Sequence, residues 1–234
     1  MPGHTITHHK DPLGAHINLV QSSVKDYGGQ CTFKFSQCLP PVSTMIGMHR
    51  STSGGVCQAL STKWMVEHAK DSSLWNWLYK GQTIDTGAMY NIMINFADNI
   101  IQRMGQMAAS DKYLNMHGLK MRQNIVTGDN IDKWSTTRQS SRGSKGSIGR
   151  RLASAMQKTD KNTSGNYVLL GMDGNGGHAM CAWIAQDACF FDPNCGEFYF
   201  AKKEDFYRWL PLLTQLLRYD EFWKAQAVAY ARSV

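Results

Sequence analysis

Four short runs rich in β-branched, aromatic and small apolar residues follow one another in the last third of this 234-residue chain. Turn sequences separate these runs, including Asp-Gly-Asn-Gly-Gly at residues 173–177 and Pro-Asn at residues 193–194. Short runs bounded by Gly, Pro, Asn and Asp are typical of antiparallel strands. The predicted strands are residues 166–171, 178–185, 189–192 and 197–200.

The rest of the chain has mainly helical patterns. Val56, Leu60 and Trp64 recur about every four residues, which predicts an amphipathic helix over residues 55–70. Further helices are predicted over residues 86–109, 149–158, 203–218 and 221–231. Helices in the N-terminal part that pack on an antiparallel sheet, with closing C-terminal helices, give an α+β class. Residues 1–44 are predicted to be a flexible N-terminal segment, and residues 45–234 one folded domain.

Composition narrows the classes of partner. The net charge of +7 favours acidic partners or an anionic membrane surface. Zinc-finger spacing and a helix-turn-helix pattern are both missing, so no nucleic acid is expected as a partner. The basic segment 135–151 is predicted to be a solvated loop, with a binding patch as the alternative. No apolar run approaches the ~20 residues that cross a bilayer. A monomer is the default.

Six cysteines without a secretory signal pattern predict reduced thiols rather than a disulfide framework. His4, His8 and His9 lack a fourth ligand nearby, so no metal is predicted, and no motif calls for another cofactor.

Cys57 is the candidate nucleophile. It follows Gly54-Gly55 at the start of the predicted helix 55–70. The N–H groups at a helix N-terminus and a nearby imidazolium both lower the pKa of a thiol, and the thiolate is the reactive form. The alternative role for Cys57 is that of a small buried hydrophobic residue.

His178 and Asp192 are the candidate base and orienting residue. His178 opens one predicted strand and Asp192 closes the next, so an antiparallel pair can bring them together. Taken singly, His178 is also consistent with an ordinary hairpin histidine and Asp192 with an Asx turn. A cysteine, a histidine and an aspartate in this order are typical of papain-like enzymes.

An acyl-transfer site also needs donors for the developing oxyanion. The backbone N–H of Cys57 is the first candidate. Residues 50–53 contain no Asn or Gln, so the hydroxyl of Thr52, or else of Ser51, is predicted as the second donor.

Three motifs carry a resemblance to a known family: Gly54-Gly55-Val56-Cys57, Gly176-Gly177-His178-Ala179 and the block 190–198 with its Asp-Pro-Asn and Gly-Glu-Phe. Together they resemble the YopT/AvrPphB-type effector cysteine proteases. The resemblance implies a papain-like fold, a Cys57/His178/Asp192 triad and no metal or cofactor. It also implies secretion by a bacterium, delivery into the host cytoplasm and cleavage of a host protein, either a Rho-type GTPase or a host kinase.

Some members of that group cleave themselves and expose a glycine that is then acylated. Here Gly28, followed by Thr32, would begin a myristoylation signal, with Cys31 placed for palmitoylation. Two acyl chains would anchor the protein at a membrane. A flexible glycine-rich turn is the simpler interpretation of this segment.

Two other functions use the same features. A glutamine deamidase or an acyltransferase shares the triad and the acyl-enzyme chemistry. A binding module with a vestigial triad would instead use the basic segment 135–151 to dock on a membrane or on an acidic partner.

Overall fold

The computed structural model describes residues 12–53, 55–97, 105–127, 147–159, 165–174, 176–222 and 224–233. In these residues the helices are α1 (Pro12–Ser23), α2 (Val42–Gly47), α3 (Cys57–Ala69), α4 (Leu74–Leu78), α5 (Thr86–Ala97), α6 (Gln106–Met116), α7 (Ile148–Thr159) and α8 (Lys203–Leu216). The strands are β1 (Gly29–Phe33), β2 (Tyr79–Lys80), β3 (Thr83–Ile84), β4 (Leu119–Thr127), β5 (Asn166–Asp173), β6 (Gly177–Ile184), β7 (Ala188–Asp192), β8 (Gly196–Phe200) and β9 (Lys224–Arg232). Short 3-10 turns cover Val24–Tyr27 and Tyr219–Glu221.

A seven-stranded antiparallel sheet organises the molecule, with the strand order β1-β8-β7-β6-β5-β9-β4. The hairpin β2–β3 forms a separate two-stranded sheet. The four strands predicted from the sequence are β5 to β8, and they pair in the order in which they occur in the chain. Because their connecting turns are short, strands that are consecutive in the chain are neighbours in the sheet.

Helices cover both faces of the large sheet. On β5, Val168 and Leu170 point to the face covered by α1, α7 and α8, whereas Tyr167 and Leu169 point to the face covered by α2 to α6. Successive side chains of a strand point to opposite faces, so a strand covered on both sides is apolar throughout. The predicted α+β class, with helices packed on an antiparallel sheet, is confirmed.

Helix α3 lies against the middle of the sheet and is buried on nearly every side; its only partly exposed residues before the last turn are Cys57 and Lys63. Ser61 fixes its position, because the Oγ atom donates to the backbone carbonyl of Ala179 in β6 at 3.2 Å. The predicted helix 55–70 is therefore confirmed, and it is central to the fold.

The prediction of an irregular segment over residues 1–44 is wrong for its described part. Helix α1 inserts Ile17 and Val20 into the core beside α8, where Trp209 Nε1 also donates to Ser23 Oγ at 3.1 Å. Strand β1 pairs with β8 and so belongs to the main sheet. The segment is polar on average, but Ile17, Val20 and Val24 are three or four positions apart and so lie on one buried side, whereas Leu13 and Leu19 are exposed. Residues 1–11 lie outside the described residues.

The predicted helix 221–231 is also wrong, because residues 224–231 belong to β9 in the interior of the sheet. Ala225 and Ala227 face one helical layer, whereas Val228 and Tyr230 face the other. Alanine favours helices locally, but here the backbone pairs with both β4 and β5, and burial on both faces overrides that preference.

In its described part the predicted helix 86–109 consists of α5 and the beginning of α6, and residues 98–104 lie outside the described residues. Gly105, just before α6, has a φ of +78°, which rules out one continuous helix. The helix predicted over residues 149–158 is confirmed as α7. Most of the basic segment 135–151, from residue 135 to residue 146, is outside the described residues.

None of the helices in the described ranges has the length and apolar character required to span a membrane. All six cysteines lie in the described ranges, and each is a free thiol.

Candidate active site

Cys57 is the first residue of α3, and a side-chain hydrogen bond holds the backbone just before it. The N–H of Val56 donates to Oε1 of Gln37 at 3.0 Å. Gly55 has a φ of +106°, a backbone angle that residues other than glycine rarely adopt. Because the first N–H groups of a helix have no partner within it, the positive end of α3 faces the Cys57 sulfur.

His178 and Asp192 come together where β6 begins and β7 ends. The distance from His178 Nε2 to Asp192 Oδ1 is 2.8 Å, and the two residues are only 7% and 0% exposed. The imidazole is also hydrogen-bonded to the thiol of Cys57. Since Asp192 occupies Nε2, the other ring nitrogen, Nδ1, is the one left for the sulfur.

Asp192 also stabilises its own turn. The backbone N–H of Asn194 donates to Asp192 Oδ1 at 2.8 Å, which is an Asx turn. The two roles considered for Asp192 from the sequence, a turn-forming residue and a partner of His178, therefore occur together.

A tyrosine completes the surroundings of the carboxylate. The hydroxyl of Tyr219 donates to Asp192 Oδ2 at 3.0 Å and lies 3.1 Å from His178 Nε2. The same hydroxyl accepts a hydrogen bond from Asn194 Nδ2 at 2.8 Å. Asp192 therefore has donors on both of its oxygens.

The pKa values of the thiol and the imidazole shift in opposite directions. Burial would raise the pKa of Cys57, but the hydrogen bond and charge of His178, together with the backbone N–H groups of Ala179 and Gln58, lower it. Burial would lower the pKa of His178, but the charge of Asp192 and hydrogen bonds to Asp192 and Cys57 raise it to about 10. This combination favours a thiolate–imidazolium pair at neutral pH.

The other five cysteines behave differently. Burial is the main cause that raises the pKa of each of them, and for Cys38 the pKa rises to about 11. Only the thiol at the N-terminus of α3 has the environment of a nucleophile.

Cys57 and His178 open into a cavity of about 320 Å³. One wall comes from the chain between Gln37 and Gly55, including Cys38 and Ile46. The opposite wall comes from the ends of the strands and includes Asn194 and Phe222. The nucleophile therefore lies at the bottom of a cleft between the N-terminal segment and the sheet.

Thr52, predicted as an oxyanion donor, does not face this cavity. Its side chain is buried, and its hydroxyl donates to the backbone carbonyl of Ile46 at 2.9 Å. A hydroxyl has a single proton to donate, so the prediction for Thr52 is wrong. Ser51 is exposed and is also not among the cavity residues.

Gly28 and Cys31 lie at the edge of the sheet rather than in a loose turn. Gly28 ends a 3-10 turn at a φ of +75°, and its N–H donates to the carbonyl of Lys25 at 3.0 Å. Cys31 is half-buried in β1, where it is opposite Phe198 of β8.

Three residues of the site were missed in the sequence: Gln37, Asn194 and Tyr219. Gln37 belongs to the N-terminal segment 1–44. It is 19 positions before Val56, to which it is hydrogen-bonded, and so 20 positions before Cys57. Its Nε2 donates to Asn194 Oδ1 at 2.8 Å. Asn194 is part of the Asp-Pro-Asn motif, which could have identified it. No sequence motif around Tyr219 indicates a place in the site.

Comparisons with known proteins agree with these observations. Cysteine protease yopT1 of Yersinia enterocolitica is 29% identical over 232 residues, which cover 95% of this chain and 66% of the relative. Cysteine protease YopT of Yersinia pestis is 30% identical over 207 residues, covering 84% of this chain and 61% of the relative. The chain thus spans slightly less than two thirds of the length of these relatives.

Two solved structures are also similar. The Pseudomonas avirulence protein AvrPphB is 14% identical with a TM-score of 0.48, covering 78% of this chain and 95% of that protein. The YopT domain of the Pasteurella multocida PfhB2 toxin is 25% identical with a TM-score of 0.32, covering 85% of this chain and 92% of that domain.

A family model matches most of the chain. The model is that of peptidase C58, described as Yersinia/Haemophilus virulence surface antigen, and it matches residues 21–226. The predicted resemblance to YopT/AvrPphB-type proteases is confirmed, and the chain belongs to the peptidase C58 family.

Proposed function

We propose that this chain is a cysteine endopeptidase that uses Cys57, His178 and Asp192 as its catalytic triad. The observation that carries the proposal is the contact of a low-pKa thiol with an imidazole that Asp192 holds at 2.8 Å. Membership of a peptidase family and the relatives named cysteine proteases support the same activity.

In the acylation step the Cys57 thiolate attacks the carbonyl carbon of the scissile peptide bond. The carbonyl π electrons move to oxygen, and a tetrahedral intermediate with an oxyanion forms. As the intermediate collapses, the C–N bond breaks and His178 gives its proton to the leaving amine. The products are a thioester on Cys57 and a free amine.

In the deacylation step His178, now neutral, removes a proton from water as the water oxygen attacks the thioester carbonyl. The C–S bond then breaks, and the second product leaves as a carboxylic acid while thiolate and imidazolium are restored. Asp192 keeps the ring oriented through both steps and stabilises the imidazolium.

Gln37 is our candidate for the second oxyanion donor, beside the backbone N–H of Cys57. Its amide packs on Gly55, where an added Cβ would lie 3.6 Å from Nε2. One N–H of Nε2 is bonded to Asn194 Oδ1 at 2.8 Å, and a primary amide has a second N–H to donate. Since Gln37 lines the cavity with Cys57, that second donor can serve an oxyanion there.

The proposed substrate is a host protein. The proposed location is the host cytoplasm, into which a bacterium delivers the protein. The Yersinia relatives support an effector of this kind. A Rho-type GTPase or a host kinase as the target rests on the family resemblance. Association with an anionic membrane rests on the net charge of +7.

The first test compares the wild type with Cys57→Ala, His178→Ala and Cys38→Ser after reduction. A brief reaction with iodoacetamide at neutral pH, followed by peptide mass mapping, is expected to modify Cys57 first in the wild type and in Cys38→Ser. Slower modification of Cys57 is expected in His178→Ala. Modification that is slow and spread over several cysteines would refute the proposed activity.

A second test identifies the reaction. Host-cell lysate incubated with the wild type is expected to contain new protein N-termini that are absent with Cys57→Ala. An intact target whose glutamine has become glutamate would instead indicate a deamidase, and an intact target that gains an acyl group would indicate an acyltransferase. Target binding that is unaffected by Cys57→Ala, without any product, would indicate a binding module.

Self-cleavage before Gly28, with acylation of Gly28 and Cys31, stays a prediction from the resemblance. Two features of the folded chain oppose it: the N–H of Gly28 is hydrogen-bonded, and α1 before it is packed in the core. Cleavage there therefore requires local unfolding of residues 12–33. Intact-mass measurement after prolonged incubation of the wild type and Cys57→Ala tests it; a wild-type chain that keeps its full mass would exclude self-cleavage.

A further inference from the structure

Tyr219 is the one tyrosine whose hydroxyl contacts the His178–Asp192 pair in the described residues. It lies at the back of the site, between β6 and the turn that follows β7. Its hydroxyl lies 3.0 Å from Asp192 Oδ2, 3.1 Å from His178 Nε2 and 2.8 Å from Asn194 Nδ2. Three polar groups from two parts of the sheet therefore converge on one oxygen atom.

The carboxylate of Asp192 depends on protein groups for its hydrogen bonds. It is 0% exposed, so solvent does not supply hydrogen bonds to it. Oδ1 already accepts from His178 and from the Asn194 N–H. Donors on a buried carboxylate replace the hydrogen bonds that water would supply and restrict its rotation. The Tyr219 hydroxyl provides this on Oδ2.

The backbone directs Tyr219 into this position. Arg218, the residue before it, has a φ of +57°, a left-handed conformation that is uncommon for a residue with a side chain. This bend ends the segment that follows α8 and turns the next residue toward the triad. Arg218 directly follows Leu217, the C-cap of α8, where a left-handed residue commonly ends a helix, and its N–H donates to the carbonyl of Gln215 at 3.1 Å.

Other titratable groups near Tyr219 come from β6, β7 and the turn after β7. Asp192 faces it from the end of β7, Cys195 from the turn that follows, and His178 from β6. The thiol of Cys195 is hydrogen-bonded to Asp192 as well. Burial is the main cause that raises the pKa of the Tyr219 hydroxyl, so it remains protonated and keeps its proton for donation.

We propose that Tyr219 is a positioning residue of the active site, whose hydroxyl holds Oδ2 of Asp192 so that Oδ1 stays directed at Nε2 of His178. This role rests on the proposed function. Tyr219 acts through Asp192 and His178, and it transfers no proton to the substrate. Without its hydroxyl the imidazolium loses support, and so does the thiolate that the imidazolium stabilises.

Tyr219→Phe is the variant that tests the role, with Tyr167→Phe as the matched control. Tyr167 is also buried, and its hydroxyl is bonded at 2.8 Å to the imidazole of His68, which lies at the opposite end of α3 from Cys57. Each variant removes one buried tyrosine hydroxyl that contacts an imidazole. The measurement is the rate of Cys57 alkylation by iodoacetamide between about pH 4 and pH 9.

In Tyr219→Phe the rise of the alkylation rate is expected to move up by about one pH unit, so that the rate at a given pH on the rising part of the profile falls about tenfold, which corresponds to about 1.4 kcal/mol. Tyr167→Phe is expected to lose stability while its alkylation profile stays that of the wild type. A Tyr219→Phe profile that coincides with the wild type would overturn the role, even if the variant is less stable.

The outcome for the wild type separates the two proposals. A wild-type Cys57 that reacts no faster than the other thiols would refute both the proposed function and the role of Tyr219. If Tyr219→Phe fails to fold, proton NMR of the wild type decides. A cross-relaxation signal between the His178 Nε2 proton and the Tyr219 hydroxyl proton is expected, and its absence would overturn the role.

Discussion

The side-chain carbonyl of Gln37 accepts the backbone N–H of Val56 at 3.0 Å, one residue before the nucleophile. Through this bond the N-terminal segment determines where α3 begins. The amide nitrogen of the same side chain lies beside the cavity and is bonded to Asn194. One glutamine therefore connects the N-terminal segment, the nucleophile and the turn after Asp192.

Gln37→Glu is expected to slow acylation of Cys57 but to leave its alkylation nearly unchanged. The carboxylate keeps an acceptor for the Val56 N–H and removes the amide donor. Loss of one oxyanion donor typically costs about 10²–10³-fold in rate. Acetylation of Cys57 by p-nitrophenyl acetate passes through an oxyanion, whereas displacement of iodide by the thiolate does not, so the two rates separate the roles.

Gln37→Ala serves as the comparison, because it removes both the acceptor and the donor. We expect it to slow acylation as Gln37→Glu does and also to destabilise the start of α3. Acylation at the wild-type rate in both variants would show that Gln37 is not the second donor.

The alkylation of Cys57 is expected to depend on pH in a direction set by two pKa shifts. Because the pKa of Cys57 is lowered, its thiolate persists below the ordinary thiol pKa and is lost only as the pH falls through the lowered value. The imidazolium of His178 is lost as the pH rises through about 10. The ion pair therefore occupies the interval between these two values.

His178→Ala removes the cation, so the pKa of Cys57 is expected to rise. A thiol of ordinary pKa is only a few per cent thiolate at neutral pH, so the alkylation rate at pH 7 is expected to drop about tenfold or more. Rates for the other five cysteines are the internal control, since their pKa values are raised. An unchanged Cys57 rate would contradict the ion pair.

Glu197 is expected to matter for stability and not for reactivity. Its Oε2 accepts from the indole N–H groups of Trp64 at 2.6 Å and Trp75 at 3.0 Å, and its Oε1 accepts from the Thr32 hydroxyl at 2.7 Å. Glu197→Gln replaces one acceptor oxygen with a donor, so the free energy of unfolding is expected to fall by about 1–3 kcal/mol. Urea denaturation measures it.

Glu204→Gln on the exposed side of α8 is the matched control, with an expected change within about 0.5 kcal/mol. Equal effects of the two substitutions would mean that the indole contacts contribute little. A change in the Cys57 alkylation profile of Glu197→Gln would mean that Glu197 also affects the site.

Gly149→Ala is expected to destabilise the protein, although alanine favours helices more than glycine. A Cβ at this position of α7 would lie 2.6 Å from the Cα of Pro211 and 2.4 Å from Oγ1 of Thr214, both in α8. Overpacking against backbone costs about 1–3 kcal/mol, which exceeds the gain of about 1 kcal/mol in helix propensity.

Gly47→Ala in α2 gives the opposite expectation, because no atom lies within 4 Å of its added Cβ. Here the propensity gain of up to about 1 kcal/mol is expected to appear as a higher melting temperature. Stabilisation by both substitutions would show that α7 and α8 can separate to accept a methyl group.

Much of the fold could be predicted where neighbours in the chain are also neighbours in space. Strands β5 to β8 follow one another through short turns, so their local pattern also determined their pairing. His178 and Asp192 could be matched for that reason, since they lie at the ends of consecutive strands. Cys57 could be identified because glycines and a helical period surround it.

The incorrect predictions concern segments whose structure depends on distant partners. Strand β1 pairs with β8, and β9 lies between β5 and β4, so their backbone hydrogen bonds go to strands far away in the chain. Local propensity carries no record of such partners, and for the alanines of β9 it indicated a helix. Burial between two helical layers made this segment the strand β9 instead of a helix.

By itself, the sequence determined the α+β class, the central helix and the three residues proposed as the triad, because those depend on local pattern and on consecutive strands. Only the tertiary structure decided which residues support them. Gln37 reaches the start of α3 from the N-terminal segment, and Tyr219 lies 41 positions from His178. Side chains so far apart in sequence meet only after the chain has folded around the sheet, and their hydrogen bonds are properties of that arrangement.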